Sequence, residues 1–241
     1  MCIRDSSSPR RAAYGWQRDG GHGDLILAEE RDCIVLPDFL TFLDGACVAC
    51  GFGTAYEGLL RSQVSGRDAL AVVGLGPVGL AAGLLGGKLG ATPRVGLDPS
   101  PERRDLAVRL GAVDAACAPD QVEEARALLG GGAHVAIDCS GSEPGRSSAL
   151  SLVRSRGRVV LVGEGNGMRV PEVSPTLIHP SITIIGSWVT SLEHMRELVE
   201  RLPFWDLHPE VVVSDTFPLA EADAAYALAD AGRSGKVALV P

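Results

Sequence analysis

The sequence predicts an α/β fold organised around a doubly wound parallel sheet. Three observations predict it. From residue 69 to residue 185, short apolar runs alternate with segments of helical pattern. Most of these runs are apolar at every position, which suits strands covered on both faces. A glycine-rich turn follows the first run and opens the first helix, the place where sheets of this kind bind ligands.

The elements follow in order. Residues 12–50 read as short strands and turns, with Leu25-Ile26-Leu27-Ala28 and Cys33-Ile34-Val35-Leu36 as the apolar runs and Pro37-Asp38 closing the second. Residues 39–49 place apolar side chains at helical spacing. Ala69-Leu70-Ala71-Val72-Val73 is the first strand of the sheet, and a helix begins near Pro77, where proline suits the first turn. Arg94-Val95-Gly96-Leu97-Asp98 is the second strand, and residues 101–110 form a helix closed by Gly111. Ala115-Ala116-Cys117 is a short third strand before a helix over 122–129. Val135-Ala136-Ile137-Asp138 is the fourth, followed by a helix to residue 153. Val159-Val160-Leu161-Val162 is the fifth and Ile182-Thr183-Ile184-Ile185 the sixth. After Trp188 the rhythm shifts to a helix over 192–202, a strand at Val211-Val212-Val213, a helix over 219–231 and a strand at Val237-Ala238-Leu239-Val240. That tail is too short to fold alone and is expected to pack against residues before 50.

Composition narrows the function. The 241 residues are 46% hydrophobic and 22% charged, as in an ordinary globular protein. A net charge of −8 argues against an extended nucleic-acid surface, although backbone N–H groups can still bind a phosphate. Residues 69–87 carry no charge and raise the question of a membrane span. Gly74, Gly76, Pro77, Gly79, Gly83, Gly86 and Gly87 fall inside that run, so a buried strand, a turn and a buried helix explain it better. Six cysteines are scattered and no secretory stretch opens the chain, so reduced thiols and a cytoplasmic location are expected. Met1-Cys2-Ile3-Arg4-Asp5-Ser6 resembles the translated end of a transposon-type sequencing adapter, so residues 1–11 are expected to be foreign or disordered and the reading frame to start inside a truncated gene. The alternative is a disordered basic tail carrying Arg4, Arg10 and Arg11.

The strongest motif is Gly74-Leu75-Gly76-Pro77-Val78-Gly79. A bare G-x-G-x-x-G is weak, but this one follows an apolar strand and opens a helix, as a Rossmann fingerprint requires. Gly74 permits the tight turn, Gly76 lets the backbone approach a pyrophosphate, and Gly79 lets helix and strand pack closely. The helix start around Pro77 and Val78 offers unpaired N–H groups and a partial positive charge. Asp98 ends the second strand about 20 residues beyond, where a carboxylate accepts ribose hydroxyls and repels a 2′-phosphate, which favours NAD over NADP. Arg103 stands within reach of the same ribose or of a phosphate. A flavoprotein, a methyltransferase and a regulatory NAD-binding module remain alternatives. The spacing and the sixth strand favour a dinucleotide.

Cys47-Val48-Ala49-Cys50 reads three ways: a redox pair, half of a zinc site, or a helix with two small buried residues. With Gly51-Phe52-Gly53-Thr54-Ala55-Tyr56 after it and a Rossmann strand downstream, the segment resembles zinc-dependent medium-chain alcohol dehydrogenases. Arg18-Asp19-Gly20-Gly21, Gly163-Glu164-Gly165-Asn166, Ile185-Gly186-Ser187-Trp188 and Gly235-Lys236-Val237 match the same family, so the resemblance runs from residue 14 to the end. The resemblance implies that residues 1–51 are a remnant of a GroES-like β catalytic domain, 52–190 the NAD-binding Rossmann domain, and 191–241 a return to the catalytic domain. It implies that Cys50 ligates a catalytic zinc and that Thr54 stands near nicotinamide and substrate. It implies that the cofactor carboxamide meets backbone near Val162, Gly163 and 185–187, with Ser187 among the contacts. Cys47 and Cys139 are expected only to pack. The family's other zinc ligands, structural zinc lobe and proton relay have no counterpart in this sequence.

For the whole enzyme the resemblance implies that zinc stabilises the alkoxide of a small alcohol and that hydride passes to NAD. The Gly163 and Gly186 patterns lean toward the polyol and threonine dehydrogenase branch. The chain as written is expected to be inactive, because one thiolate does not hold a catalytic zinc. The alternatives are an NAD-binding module without catalysis and a zinc-free quinone or enoyl reductase of the same superfamily. His22 matches a later part of the family pattern than any ligand. His134, His194 and His208 show no metal spacing, and His179 alone stands in a loop near the expected nicotinamide end. The sixth strand would be a sheet edge needing cover, so a homo-oligomer is expected.

Overall fold

The computed structural model describes residues 12–232 and 235–241, so the expectation for residues 1–11 lies outside it. The chain divides into two compact units: Gly58–Ser187, and the residues up to Glu57 together with Trp188–Pro241.

The flanking unit begins without regular strands. The two apolar runs expected as strands have no strand partner, and Leu25, Leu27 and Val35 are 92%, 93% and 89% exposed. This corrects the sequence reading. A strand is stabilised by its neighbour, and the pairing among described residues here is a single bridge between Tyr14 and Arg18. After a 3₁₀ turn (Glu30–Asp32) comes α1 (Phe42–Cys47), whose start is a reciprocal capping box. The Thr41 hydroxyl accepts from the Asp44 N–H at 3.1 Å, and the Asp44 carboxylate accepts from the Thr41 N–H at 3.0 Å. One π-helical turn (Val48–Phe52) then carries the helix into α2 (Gly53–Arg61).

The Gly58–Ser187 unit holds the sheet. Its strands are β1 (Leu70–Val73), β2 (Arg94–Leu97), β3 (Ala115–Cys117), β4 (Ala133–Asp138), β5 (Val153–Leu161) and β6 (Thr183–Gly186). The helices between them are α3 (Pro77–Lys88), α4 (Pro101–Arg109), α5 (Val122–Leu128) and α6 (Glu143–Leu152). Strand order is β3-β2-β1-β4-β5-β6 and every pairing is parallel, so the expected doubly wound Rossmann sheet is present. β1 is buried at all four positions. The uncharged run that raised a membrane question is β1, a turn and the buried helix α3. Among the described residues no helix is long and apolar enough to cross a membrane.

β5 starts at Val153, earlier than its apolar run suggested, because Arg154, Ser155 and Arg156 precede the buried half and hide the strand in sequence. Arg156 has φ +62° and the β4–β5 register shifts there, marking an irregular entry.

The tail after Trp188 contains α7 (Leu192–Phe204), a 3₁₀ turn (Pro209–Val212), β7 (Val213–Pro218), α8 (Ala222–Asp230) and β8 (Lys236–Val240). Val211 and Val212, expected in a strand, lie in the 3₁₀ turn opened by Pro209. β7 pairs parallel with β8. The tail packs against residues before 50, as expected: Asp44 accepts from His208 Nδ1 at 2.7 Å and from the Glu210 N–H at 2.8 Å.

Candidate functional site

The strand register builds the site. Val73, Leu97, Asp138, Leu161 and Gly186 stand in one row across β2-β1-β4-β5-β6. The next residue on each strand is therefore Asp98, Gly74, Cys139, Val162 and Ser187. Residues 187 and 98 are far apart in sequence, yet the sheet sets them at one carboxyl edge, where parallel sheets bind ligands.

A cleft of about 580 Å³ opens at the β1 part of this edge. Gly74, Gly76, Pro77 and Val78 line it from the glycine turn, and Asp98 and Arg103 from the β2–α4 side. Cys139, Ser140 and Ser142 line it from the end of β4. Gly74 adopts φ +87°, and a Cβ there would lie 2.8 Å from the Ser140 nitrogen. A Cβ on Gly79 would collide with the Gly74 carbonyl. At Gly76 a Cβ would approach nothing nearer than the Arg103 guanidinium, at 3.9 Å, so the glycine leaves room on the cleft side. Gly76 caps α3 and Pro77 occupies its first turn. The helix therefore offers its first N–H groups to an anion.

Asp98 does more than the sequence suggested. The residue is buried, its Oδ2 accepts from the Leu75 N–H at 2.7 Å, and its Oδ1 accepts from the Ser100 N–H at 2.8 Å. The carboxylate thus fixes the glycine turn to the β2 loop, with a further lone pair on each oxygen for a hydroxyl donor. Arg103 Nη1 lies 4.0 Å from Asp98 Oδ2. Arg103 Nε is buried without a hydrogen-bond partner. So is the Ser187 hydroxyl at the far end of the row. Buried polar atoms without partners are costly. Two of them on the edge, with the space at Gly76, fit a polar ligand lying along it.

The backbone expected to meet the carboxamide has its N–H groups engaged already. The N–H groups of Val162 and Gly163 both donate to the Asp138 carbonyl, at 3.0 and 2.9 Å, and the Ser187 N–H donates to Leu161. This part of the edge therefore offers carbonyl oxygens and the Ser187 hydroxyl, not those N–H groups. Sequence reasoning missed Asp138, Ser140 and Arg146. Asp138 is buried, and its Oδ1 accepts from Ser140 N–H and Oγ at 3.0 and 2.6 Å. An Asp ending a strand two residues before a Ser was a visible signal for that turn. Arg146 carried none, since it reads as one more polar residue on a helix. Cys139, although it lines the cleft, has its thiol pushed far up by burial, with neighbouring Asp138 adding to that.

Cys50 and Thr54 belong to the flanking unit. Cys50 is exposed on the π-helical turn, and half-buried Thr54 follows four residues later on α2. Cys47 is buried, and burial pushes its thiol up to about 11, so it only packs. A catalytic zinc requires about three protein ligands. Among the described residues Cys50 stands in no group of three ligand atoms, so the residues present do not complete a zinc site. The group that does assemble is Asp44, His208 and Glu210, where Asp44 is already engaged by Thr41, His208 and Glu210. The other histidines have structural partners or none of functional kind. His134 Nδ1 accepts from the Ala69 N–H at 3.0 Å, His194 pairs with Glu57 at 2.6 Å, and His22 meets Tyr226 at 2.8 Å. His179 is exposed and its N–H closes a turn onto Ser174.

Comparison with known proteins agrees with this geometry. The family model described as zinc-binding dehydrogenase matches residues 77–203. The chain is 48% identical over 232 residues to the uncharacterised zinc-type alcohol dehydrogenase-like protein YphC of Escherichia coli, covering 95% of this chain and 65% of that protein. It superimposes on the alcohol dehydrogenase TADH of a Thermus species with a TM-score of 0.76 and 31% identity, over 85% of this chain and 60% of that one. It superimposes on the alcohol dehydrogenase of Aeropyrum pernix with a TM-score of 0.86 and 25% identity, over 99% and 70%. The chain thus spans less than two thirds of the length of the curated relative it matches at 48% identity.

Proposed function

Because the chain belongs to the zinc-binding dehydrogenase family of medium-chain alcohol dehydrogenases, we propose that its Gly58–Ser187 unit binds NAD for an oxidoreductase acting on an alcohol or polyol. Zinc and NAD(P) are the cofactors this family implies. One observation carries the NAD reading: the buried Asp98 carboxylate borders the cleft opposite the glycine turn. Two ribose hydroxyls would find acceptors there, whereas a 2′-phosphate would meet a fixed negative charge in low dielectric. Gly74, Gly76, Pro77, Val78 and Gly79 would hold the pyrophosphate on the start of α3, with Arg103 as its cationic neighbour. Val162, Gly163 and Ser187 would border the carboxamide of the nicotinamide, whose ring would accept hydride when the cofactor is bound. A second copy of the chain is proposed to cover the edge strand β6.

A second reading, a cofactor-binding module without turnover, is favoured for this chain by Cys50. It is the single family zinc ligand identified in the sequence, and it is exposed and stands in no group of three ligand atoms among the described residues. Thr54 would then await a substrate that nothing here activates.

Titration of the chain with NADH and NADPH, followed by nicotinamide fluorescence, tests both readings. NADH is expected to bind the tighter. Asp98→Ala should weaken NADH by about tenfold, the worth of one charge-assisted hydrogen bond, and bring the two cofactors close in affinity. Asp98→Asn removes the charge and keeps one of the two acceptors of the brace to Leu75 and Ser100. Selectivity unchanged in Asp98→Ala would remove the residue from the ribose site. Zinc analysis and an alcohol and polyol panel decide the second reading, which fails if the chain holds stoichiometric zinc and turns over.

A further inference from the structure

Arg146 is a buried cation that the cofactor reading leaves without a task. It rises from α6 and reaches the loop after β5 with both ends of its guanidinium. Nη1 donates to the Gly167 carbonyl at 3.0 Å and also to the Asn166 carbonyl, and Nη2 donates to the Gly163 carbonyl at 2.8 Å. Nε faces the buried Asp138 Oδ2 at 3.5 Å. The loop it grips holds a non-glycine residue at positive φ, Asn166 at +28°, directly after Gly165. Backbone in that region persists only where surrounding contacts over-determine it. Asn166 Nδ2 adds a bond to the Gly141 carbonyl at 3.1 Å, and the Asp138 carbonyl holds the other end of the loop through Val162 and Gly163.

We propose that Arg146, neutralised by Asp138, is a positioning residue that sets the 163–167 loop backbone for the nicotinamide half of the dinucleotide. The proposal rests on the NAD reading above. Its physical basis is the fork. Three loop carbonyls in different directions need a planar donor array, which a guanidinium supplies and an ammonium does not. None of these contacts involves the glycine turn, Asp98 or Arg103, which face the adenosine and pyrophosphate. Loss of Arg146 should therefore loosen one half of the binding edge and leave the other in place. A pair that served stability alone would weaken both halves together or neither.

Binding of NADH and of ADP-ribose to the chain separates these cases. In Arg146→Lys, NADH affinity should fall by about tenfold or more while ADP-ribose affinity stays within about twofold, and the nicotinamide emission shift should shrink. Arg146→Lys keeps a charge beside Asp138. Should it unfold, Asp138→Asn combined with Arg146→Met removes both charges and poses the same question. Equal losses for the two ligands, or no loss for either, would overturn the proposal. An unsubstituted chain that binds neither ligand would overturn the NAD reading, and the proposal with it. One that binds ADP-ribose and NADH with no Arg146 dependence would overturn the proposal alone.

Discussion

The two units use buried charge differently. In Gly58–Ser187 three of the four buried charged side chains, Asp98, Asp138 and Arg146, gather at the carboxyl edge of the sheet, and each engages the backbone of a turn or loop there, while the fourth, Asp68, lies ahead of β1 and pairs with Arg158. In the flanking unit the buried carboxylate of Asp44 joins the start of α1 to residues 208 and 210 of the tail. In one unit most of the buried charge shapes an edge that can receive a ligand, and in the other the buried carboxylate fastens two stretches of chain. The most exposed apolar side chains fall in the flanking unit, although Phe52, Leu198 and Leu202 are buried there as deeply as any in the sheet. Val72, Leu80, Ile137 and Val159 are fully buried around the sheet, whereas Leu25, Leu27, Val35, Phe42 and Phe204 are exposed in the flanking unit.

The most severe way to break this contrast is at the glycine turn. A Cβ on Gly79 overlaps the Gly74 carbonyl, and that carbonyl belongs to backbone with no room to retreat. Gly79→Val should destabilise the chain by about 3 kcal/mol, as over-packing against backbone does, and abolish NADH binding. Urea unfolding and a fluorescence titration check both. A Gly79→Val variant with native NADH affinity would mean that the edge is not shaped by this packing.

Asp44 sharpens the other side. Asp44→Asn keeps the shape but loses the charge facing His208 and one acceptor of the capping box. It should cost about 1–2 kcal/mol in denaturant unfolding, the usual worth of a cap and a charged hydrogen bond. NADH affinity should stay within about twofold, because the residues proposed to bind NAD lie in the other unit. A parallel loss of NADH binding would show that buried charge in the flanking unit also shapes the edge.

The same contrast governs what sequence could say. Most sheet strands were legible because their runs are apolar and punctuated by Gly or Pro, and Gly74, Gly76, Gly79 and Asp98 were legible because a fingerprint ties them to strand and helix ends. Leu25 to Ala28 had the right composition for a strand but no neighbour to pair with, and pairing is not written in a single run. Val211 and Val212 went the same way once Pro209 set a tight turn. Arg146 was invisible because its meaning comes from three carbonyls about 20 residues away in a loop with left-handed backbone. Cys50 and Thr54 came from family resemblance, and geometry alone gives Cys50 no companions among the described residues.

The smallest expected effect is a pH dependence that also belongs to Asp44. The hydrogen bond to Asp44 raises the His208 pKa above its ordinary value, against the opposing effect of desolvation, with the charges of Asp44, Glu210 and Asp206 adding to the rise. Every acidic group named there favours the imidazolium, and Phe39 stacks on the ring at 4.3 Å without adding charge. A folded pKa above the unfolded one gives stability that is complete below the unfolded value of about 6.5 and lost as pH rises through the folded value. The thermal midpoint should therefore drop slightly between about pH 6 and pH 8 through this pair. His208→Gln, which retains a donor for Asp44 but does not titrate, should remove that part of the slope, and Asp44→Asn should remove it as well. A second imidazole, His194, faces a carboxylate at Glu57, so the reading lies in the difference between the unsubstituted and His208→Gln profiles. Parallel profiles, or a steeper fall in the variant, would mean that the imidazolium is not what Asp44 holds.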